Sequence, residues 1–409
     1  MIYRGNNVGA RCGVPVRIII IMNKKRYYFD YAATTPVDQR VVVAMEPYWF
    51  KKYGNPSGLY FEGRLAKQVL DECRQKVAQL INADSDEVIF TSGGSESNNL
   101  AITGVLAAVN NQGKIIVSAI EHKSILNVAK YWQQRGVTVE FCPVLSSGLV
   151  DEKKLAGMID KKTILVSIIY ANNEIGVVQD ISRIGRIIKK HNPKTYFHTD
   201  ACQAMNYLDI DVKKLGVDLL TFNGSKIYGP KGVGGLYAKK GVRMEPLIMG
   251  GGQERGWRAG TENIPLIVGM TEAMVIARRI CGAEAKRVVW LRDKIISRVL
   301  KDIPDVVLNG DKNKRLANNV NISVAGAEGE SLLLYLDEAG IAVSTGSACS
   351  ASDLDPSHVL LAIGQDKALA HGSLRITLGR WSGEAGVDYL LSVLPKIVER
   401  VRQMSAVNN

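Results

Sequence analysis

Residues 87–108 read EVIFTSGGSESNNLAITGVLAA. A short β-branched and aromatic run, Glu87-Val88-Ile89-Phe90, meets a Gly-Gly turn and passes at once into the helical pattern Glu96–Ala108. Working outward, the same alternation recurs. Lys114–Ala119 is followed by the helical Ser124–Gln134, and Thr163–Tyr170 by Ile181–His191. Thr195–Thr199 and Asp218–Phe222 supply two further strands. Strands alternating with helices in this way predict an α/β fold, with a large domain whose mainly parallel sheet is flanked by helices on both faces.

After about residue 270 the pattern changes. A long helical segment, Ile276–Leu300, leads into Val306–Leu308 and Asn319–Val324. Then come Glu330–Ala339, a stop at Gly340, strand Ile341–Ser344, a Gly/Ser/Ala loop, strand Leu374–Leu378 and a last helix, Tyr389–Met404. This reads as a smaller α+β domain. The expected division is 39–280 for the large domain and 22–38 with 281–409 for the small one. Residues 1–21 are Gly-rich, lack amphipathic periodicity and read as a dispensable extension, with Met22 as a natural start. There is no internal repeat and no low-complexity linker.

Composition narrows the function classes. Of 409 residues, 46% are hydrophobic and 22% charged, which excludes a disordered, collagenous or disulfide-stapled chain and leaves length for a large core. Lys and Arg outnumber Asp and Glu by 52 to 40, a net +12 that can steer acidic substrates, acidic proteins or nucleic acid, or simply solvate the surface. The six cysteines, Cys12, Cys73, Cys142, Cys202, Cys281 and Cys349, form no C-x-x-C and no Cys/His cluster. Neither a zinc site nor a disulfide framework is expected, and a reducing cytoplasm fits. The apolar run Ile18–Met22 is far short of the roughly 20 residues a bilayer span needs, and no small-residue cleavage site follows it.

In open α/β sheets, ligands bind beyond the carboxyl ends of the strands. The residues there are Ser92-Gly93-Gly94-Ser95, Glu121-His122, Asn172-Asn173, Asp200 with Gln203, and Ser225-Lys226. Gly93-Gly94 permits close backbone approach, and a helix N-terminus with free N–H groups binds phosphate. Singly, each motif has a plainer reading: a helix-starting turn, a packed imidazole, a capping carboxylate. Assembled, they are an anion cradle, ring-binding groups, a carboxylate and an amine nucleophile. That set suggests pyridoxal phosphate, with the lysine as covalent anchor and the carboxylate facing the pyridinium nitrogen.

Longer motifs carry a resemblance. They run from Tyr28-Phe29-Asp30-Tyr31-Ala32-Ala33-Thr34-Thr35-Pro36 through Gly54-Asn55-Pro56-Ser57, Glu121-His122-Lys123 and Asn172-Asn173-Glu174-Ile175-Gly176. Asp200-Ala201-Cys202-Gln203, Lys226-Ile227-Tyr228-Gly229-Pro230-Lys231-Gly232 and the run GGGQERGWRAGTEN over 250–263 follow. Gly346-Ser347-Ala348-Cys349 and Leu374-Arg375-Ile376-Thr377-Leu378-Gly379-Arg380 complete the series. The chain resembles a cysteine desulfurase of the class V aminotransferase family, within the fold-type-one pyridoxal phosphate enzymes. The resemblance implies that Lys226 holds the cofactor, Asp200 pairs the ring nitrogen, Gln203 contacts the ring hydroxyl and His122 stacks on the ring. It assigns phosphate binding to Gly94, Ser95 and Ser225, with Thr261 contributing across a homodimer interface. Asn173 meets the ring hydroxyl or the substrate, Arg375 clamps the substrate carboxylate, and Cys349 takes the sulfur. Asn172, Arg255 and Arg258 are read as shaping their loops.

The expected activity is therefore conversion of L-cysteine to L-alanine, leaving a persulfide on Cys349 for an iron–sulfur scaffold or another sulfur acceptor. Through that persulfide Cys349 would also be a transient iron–sulfur ligand shared with the scaffold. Neither direct nucleic-acid binding nor a membrane is expected. Three departures from the family pattern stand out. Asn223-Gly224-Ser225 replaces the usual Ser-x-His before the lysine, Gly94-Ser95 replaces Ala-Thr, and Gly58-Leu59-Tyr60 replaces Ser-x-His after Ser57. Two alternatives stand beside the expected activity: a selenocysteine lyase or other enzyme of the same class, and a non-enzymatic interaction protein using its basic surface.

Overall fold

A computed structural model of the protein describes residues 25–345 and 356–407. Its strands are β1 (Tyr27–Tyr28), β2 (Val88–Thr91), β3 (Lys114–Ser118), β4 (Thr138–Cys142), β5 (Thr163–Ser167) and β6 (Tyr196–Asp200). They continue with β7 (Leu219–Asn223), β8 (Gly234–Ala238), β9 (Val306–Leu308), β10 (Asn319–Val324), β11 (Ile341–Ala342) and β12 (Ser373–Thr377). Seven of these form one sheet in the order β2-β8-β7-β6-β5-β3-β4. Within it β8 alone is reversed, lying antiparallel to both β2 and β7, while the remaining neighbours are parallel. The mainly parallel α/β architecture expected from the sequence is present.

Sequence reading passed over β4 and β8. The first half of β8 is a Gly-Gly pair, a composition that argues against a strand. Its glycines are there because no side chain fits. A Cβ on Gly235 would lie 2.3 Å from the Phe222 ring, and one on Gly234 would lie 2.7 Å from the Gly93 backbone. Gly234 thus lets the turn after β2 sit directly on the sheet.

The Phe61–Ile81 helix was also missed. It buries Ala66, Val69, Leu70, Cys73, Val77 and Ile81, a helical stripe in which Ala and Cys stand where larger residues would have announced it. At the other extreme, the helical segment expected at Ile276–Leu300 is a 39-residue helix, Ile264–Asp302. Asn263 caps its start, its side chain accepting from Leu266 N at 3.2 Å, and Pro265 sits in the first turn where a missing N–H costs nothing.

This helix serves two cores. Ile264, Ile267, Met270, Ala273 and Ile276 pack with Phe90, Val166, Phe197, Leu220 and Phe222 of the large sheet. Val288, Leu291, Ile295 and Val299 pack with Val320, Ile322, Leu374 and Ile376. The second core surrounds the antiparallel sheet β12-β10-β9 and the parallel pair β1-β11, and it takes in Phe29 from the start of the described chain. Of Ile341–Ser344, only Ile341–Ala342 forms β11, while Ser344 makes an isolated antiparallel bridge to Arg375; the last helix runs Glu384–Val407 rather than Tyr389–Met404. Among the described residues, no helix is long and apolar enough to cross a membrane.

Candidate active site

A cleft of about 460 Å³ opens where β2, β5, β6 and β7 end, and Arg375 of β12 reaches into it. Its wall includes Gly94, Ser95, His122, Asn173, Asp200, Gln203, Ser225, Lys226 and Arg375. Nine residues singled out from the sequence therefore converge. Thr261 does not line this cleft; it lies exposed just ahead of the long helix. Residues 346–355, and with them Cys349, lie outside the described residues, as do residues 1–24.

One end of the cleft is built for an anion. The Gly94–Ala107 helix begins here, and its first-turn N–H groups have no acceptor within the helix. Gly93 has φ 155° and ψ 179°, a region open essentially to glycine alone, and a Cβ there would meet nothing within 4 Å. The turn thus offers bare backbone to the cleft. Gly94 is equally constrained, since a Cβ would come within 2.7 Å of Cys202 Sγ. Glu96 shapes the turn by accepting from Ser92 N at 2.8 Å and pairing with Arg258 at 2.9 Å. Arg255 donates to the Val88 carbonyl, and Asn172, fully buried, ties Ile120 to Glu174 and Ile175. Asn172, Arg255 and Arg258 are thus each tied by hydrogen bonds or an ion pair to the loops and turn around the cleft.

At the other end Asp200 is 5% exposed and held on both oxygens. Asn98 Nδ2 donates to one at 2.7 Å and the Cys202 amide to the other at 2.9 Å. The Cys202 thiol is kept protonated by burial first and by the adjoining Asp200 second. His122 caps the Lys123–Gln133 helix, its Nδ1 accepting from Ser124 N at 3.1 Å. Burial pushes its pKa down against the pull of Asp200, so the imidazole is neutral at pH 7. Behind the sheet ends, His198 bridges Ser167 Oγ and Thr221 Oγ1, and burial takes its pKa down to about 4.

Lys226 reaches into the cleft, where its ammonium donates to the Ala33 carbonyl. Its main chain is fixed on both sides: Thr35 donates to the Ser225 carbonyl, and Asn206 Nδ2 to that of Lys226 at 2.6 Å. Gln203 Nε2 donates to the Ala32 carbonyl at 2.9 Å. Arg375 is buried, pairs with Asp30 at 2.8 Å and donates to the Asn173 carbonyl at 3.1 Å.

Pyridoxal phosphate fits this donor set. The cleft holds an amine, a buried carboxylate and a bare helix N-terminus. The amide oxygens of Asn98 and Asn223, both in its wall, are buried without partners. Buried polar atoms of that kind mark a place where a polar group is still to come. Sequence reading gave no role at the site to Asn98, Asn223, Cys202 or Asp30. Asn98 had one available signal, since it lies four residues after Gly94 and so faces the same way on the helix. Tyr60, one of the family departures, is exposed and lies outside the cleft wall.

Comparison with known proteins gives a consistent picture. The aminotransferase class-V family model matches residues 27–390. Cysteine desulfurase IscS 1 of Archaeoglobus fulgidus is 50% identical over 379 residues, covering 92% of this chain and 98% of that protein. Cysteine desulfurase IscS of Dictyoglomus turgidum is 48% identical over 383 residues, covering 93% and 97%. Among solved structures, a NifS-like protein superposes with a TM-score of 0.87 at 38% identity, over 92% of this chain and all of the other. The structure of SspA in complex with cysteine superposes with a TM-score of 0.76 at 36% identity, covering 87% and 99%.

Proposed function

The chain belongs to the class-V aminotransferase family, and from that membership we propose that it is a pyridoxal phosphate-dependent cysteine desulfurase, converting L-cysteine to L-alanine. The observation that carries the reading is the meeting of Lys226, Asp200, the Gly93–Ser95 turn and Arg375 in one cleft. Bound there, the cofactor supplies an electron-withdrawing ring that eases loss of the substrate Cα proton. Lys226 anchors it, and its Nζ takes and returns that proton. Asp200, fixed by Asn98, would face the ring nitrogen, neutral His122 would lie against the ring and Gln203 would meet the ring hydroxyl. Gly94, Ser95 and Ser225 hold the phosphate. Asn173 and Arg375 bind the substrate, with Arg375 gripping its carboxylate as a planar fork. The Cys349 thiolate then bonds to the substrate sulfur as the Cβ–S bond breaks. That electron pair leaves toward Cβ, which is protonated to the methyl group of alanine.

The persulfide on Cys349 passes to an acceptor, and an iron–sulfur scaffold fits the names of the relatives; Cys349 then serves as a transient iron–sulfur ligand. The enzyme works as a cytoplasmic homodimer, with Thr261 reaching the partner's phosphate site. Trp49, Phe50, Tyr53, Leu59 and Phe61 support this, because so many exposed large apolar side chains in one stretch call for a cover. The two cores support a large domain over 39–280 and a small one over 22–38 with 281–409.

The test is to measure alanine and sulfide from L-cysteine with and without a candidate scaffold, alongside Lys226→Ala and Cys349→Ser. Lys226→Ala should make no alanine. Cys349→Ser should bind the cofactor, change its spectrum with L-cysteine and transfer no sulfur. Sulfur transfer by Cys349→Ser would overturn the persulfide route.

A further inference from the structure

The Asn173 carbonyl that Arg375 grips belongs to the peptide leading into Glu174, whose side chain the mechanism above does not use. Glu174 is 7% exposed, and Ser357 Oγ donates to its carboxyl. Its main chain is fastened from three directions. The amide donates to Asn172 Oδ1 at 2.9 Å, and the carbonyl accepts from Asn319 Nδ2 at 2.9 Å and Asn321 Nδ2 at 3.1 Å. Arg375, held one peptide away by its bond to the Asn173 carbonyl, and Lys123 at the start of its helix act on the carboxyl across space, neither within ion-pair distance. From the far side Asp30 holds Arg375, and beside Ser357 the His358 ring donates to the Glu121 carbonyl at 3.0 Å. Arg375 Nε is buried without a partner.

One hydroxyl and two cations do not repay the burial of a carboxylate. Burial raises the Glu174 pKa to about 7, with Ser357, Arg375 and Lys123 resisting. The side chain is therefore divided between its two protonation states at neutral pH. Arg375, meanwhile, has a fixed charge already shared with Asp30.

We propose that Glu174 is a positioning residue acting through Arg375. Neutral, it leaves the guanidinium charge to the substrate carboxylate; ionised, it draws on that charge and weakens substrate binding. This rests on the reading of Arg375 as the carboxylate clamp. The sign follows from electrostatics: an anion entering beside Arg375 is opposed by a second anion and unopposed by a neutral acid. Substrate affinity falls as pH rises through about 7.

The experiment measures KM and kcat for alanine formation by the holoenzyme between pH 6 and 8.5, in the wild type and in Glu174→Gln. Titration of cysteine itself is common to both and cancels in the ratio. Wild-type KM should rise about fivefold more over this range than that of Glu174→Gln, the factor corresponding to about 1 kcal/mol, while the kcat profiles coincide. Glu174→Asp should restore a pH-dependent KM. Thermal melting provides a readout independent of turnover. A carboxyl whose folded pKa is raised favours folding below its unfolded value and loses that contribution as pH rises through about 7. The wild type should therefore lose melting temperature relative to Glu174→Gln between pH 5 and 8. If Glu174→Gln does not fold, Ser357→Ala carries the test, because loss of the donor moves the KM rise to higher pH. Superimposable KM profiles, or a constant factor in both KM and kcat at every pH, would overturn the proposal and leave Glu174 a structural residue. Absence of alanine from the wild type would instead bring down the desulfurase reading and this inference with it.

Discussion

Asn98 Nδ2 donates both to Ser124 Oγ at 2.8 Å and to Asp200 at 2.7 Å, and the second bond decides how the Asp200 carboxylate is presented to the cleft. A hydrogen bond to a charged group contributes about 1.5–3 kcal/mol, so Asn98→Ala should weaken cofactor affinity by roughly tenfold or more. Titrating the apoenzyme with pyridoxal phosphate by absorbance checks this, and unchanged affinity would mean that Cys202 N alone holds Asp200. His198 allows a second prediction. Its folded pKa near 4 lies below the unfolded value, so the neutral ring stabilises the fold above about pH 6.5. That contribution is lost as pH falls from 6.5 toward 4. His198→Gln should flatten the acid limb of a stability–pH curve measured by urea unfolding. At this scale the sequence was most legible where residues follow strand ends: His122, Asp200, Gln203 and Lys226 needed only the rule that ligands bind there. Asp30 was beyond reach, since it meets Arg375 from 345 positions away and only the packed small core brings them together.

Arg74 and Glu254 join the Phe61–Ile81 helix to the loop that packs on β2, the strand leading into the Gly93–Ser95 turn. Arg74, on the Phe61–Ile81 helix, makes two bonds of 2.7 Å to the Glu254 carboxylate, which also accepts from Phe90 N at 2.8 Å. Glu254 and Arg255 both have positive φ, 46° and 57°, in a loop that this pair holds against β2. With the two side chains 8% and 1% exposed, removing one leaves an uncompensated charge in the interior. Glu254→Gln should cost about 3–5 kcal/mol in chemical unfolding, whereas Arg74→Met with Glu254→Leu should recover much of it. A loss below 1 kcal/mol for Glu254→Gln would show that water reaches Arg74. Element positions could be read at most places where β-branched runs met glycine stops, as at Val88–Phe90, although β4 after Gly136 was passed over. They could not be read at Gly234-Gly235, where the strand exists to admit a neighbouring backbone, nor across Ile264–Asp302, where one helix changes cores without a break.

For the whole molecule, the exposed apolar stretch leads to a prediction about assembly. Phe50 is 78% exposed and Leu59 89%, values at odds with a lone soluble surface at this density. Light scattering should find a dimer, and Phe50→Asp with Leu59→Asp should yield monomer that retains less cofactor; a wild-type monomer with full activity at high dilution would refute it. The placement of β1 has a different consequence, one that concerns synthesis. Phe29 belongs to a core made otherwise of residues from Val288 onward, and Asp30 waits for Arg375, 345 positions later. At about 5–20 residues per second a ribosome takes roughly 17–70 s to cover that distance. Until β11 and the small core emerge, late in that interval, the large sheet can close around its own core while the N-terminal strand has no partner to pair with. A nascent chain halted before β11 would therefore hold Lys226 and the Gly93–Ser95 turn but not Arg375, and it would trail β1 unpaired near its first-made end.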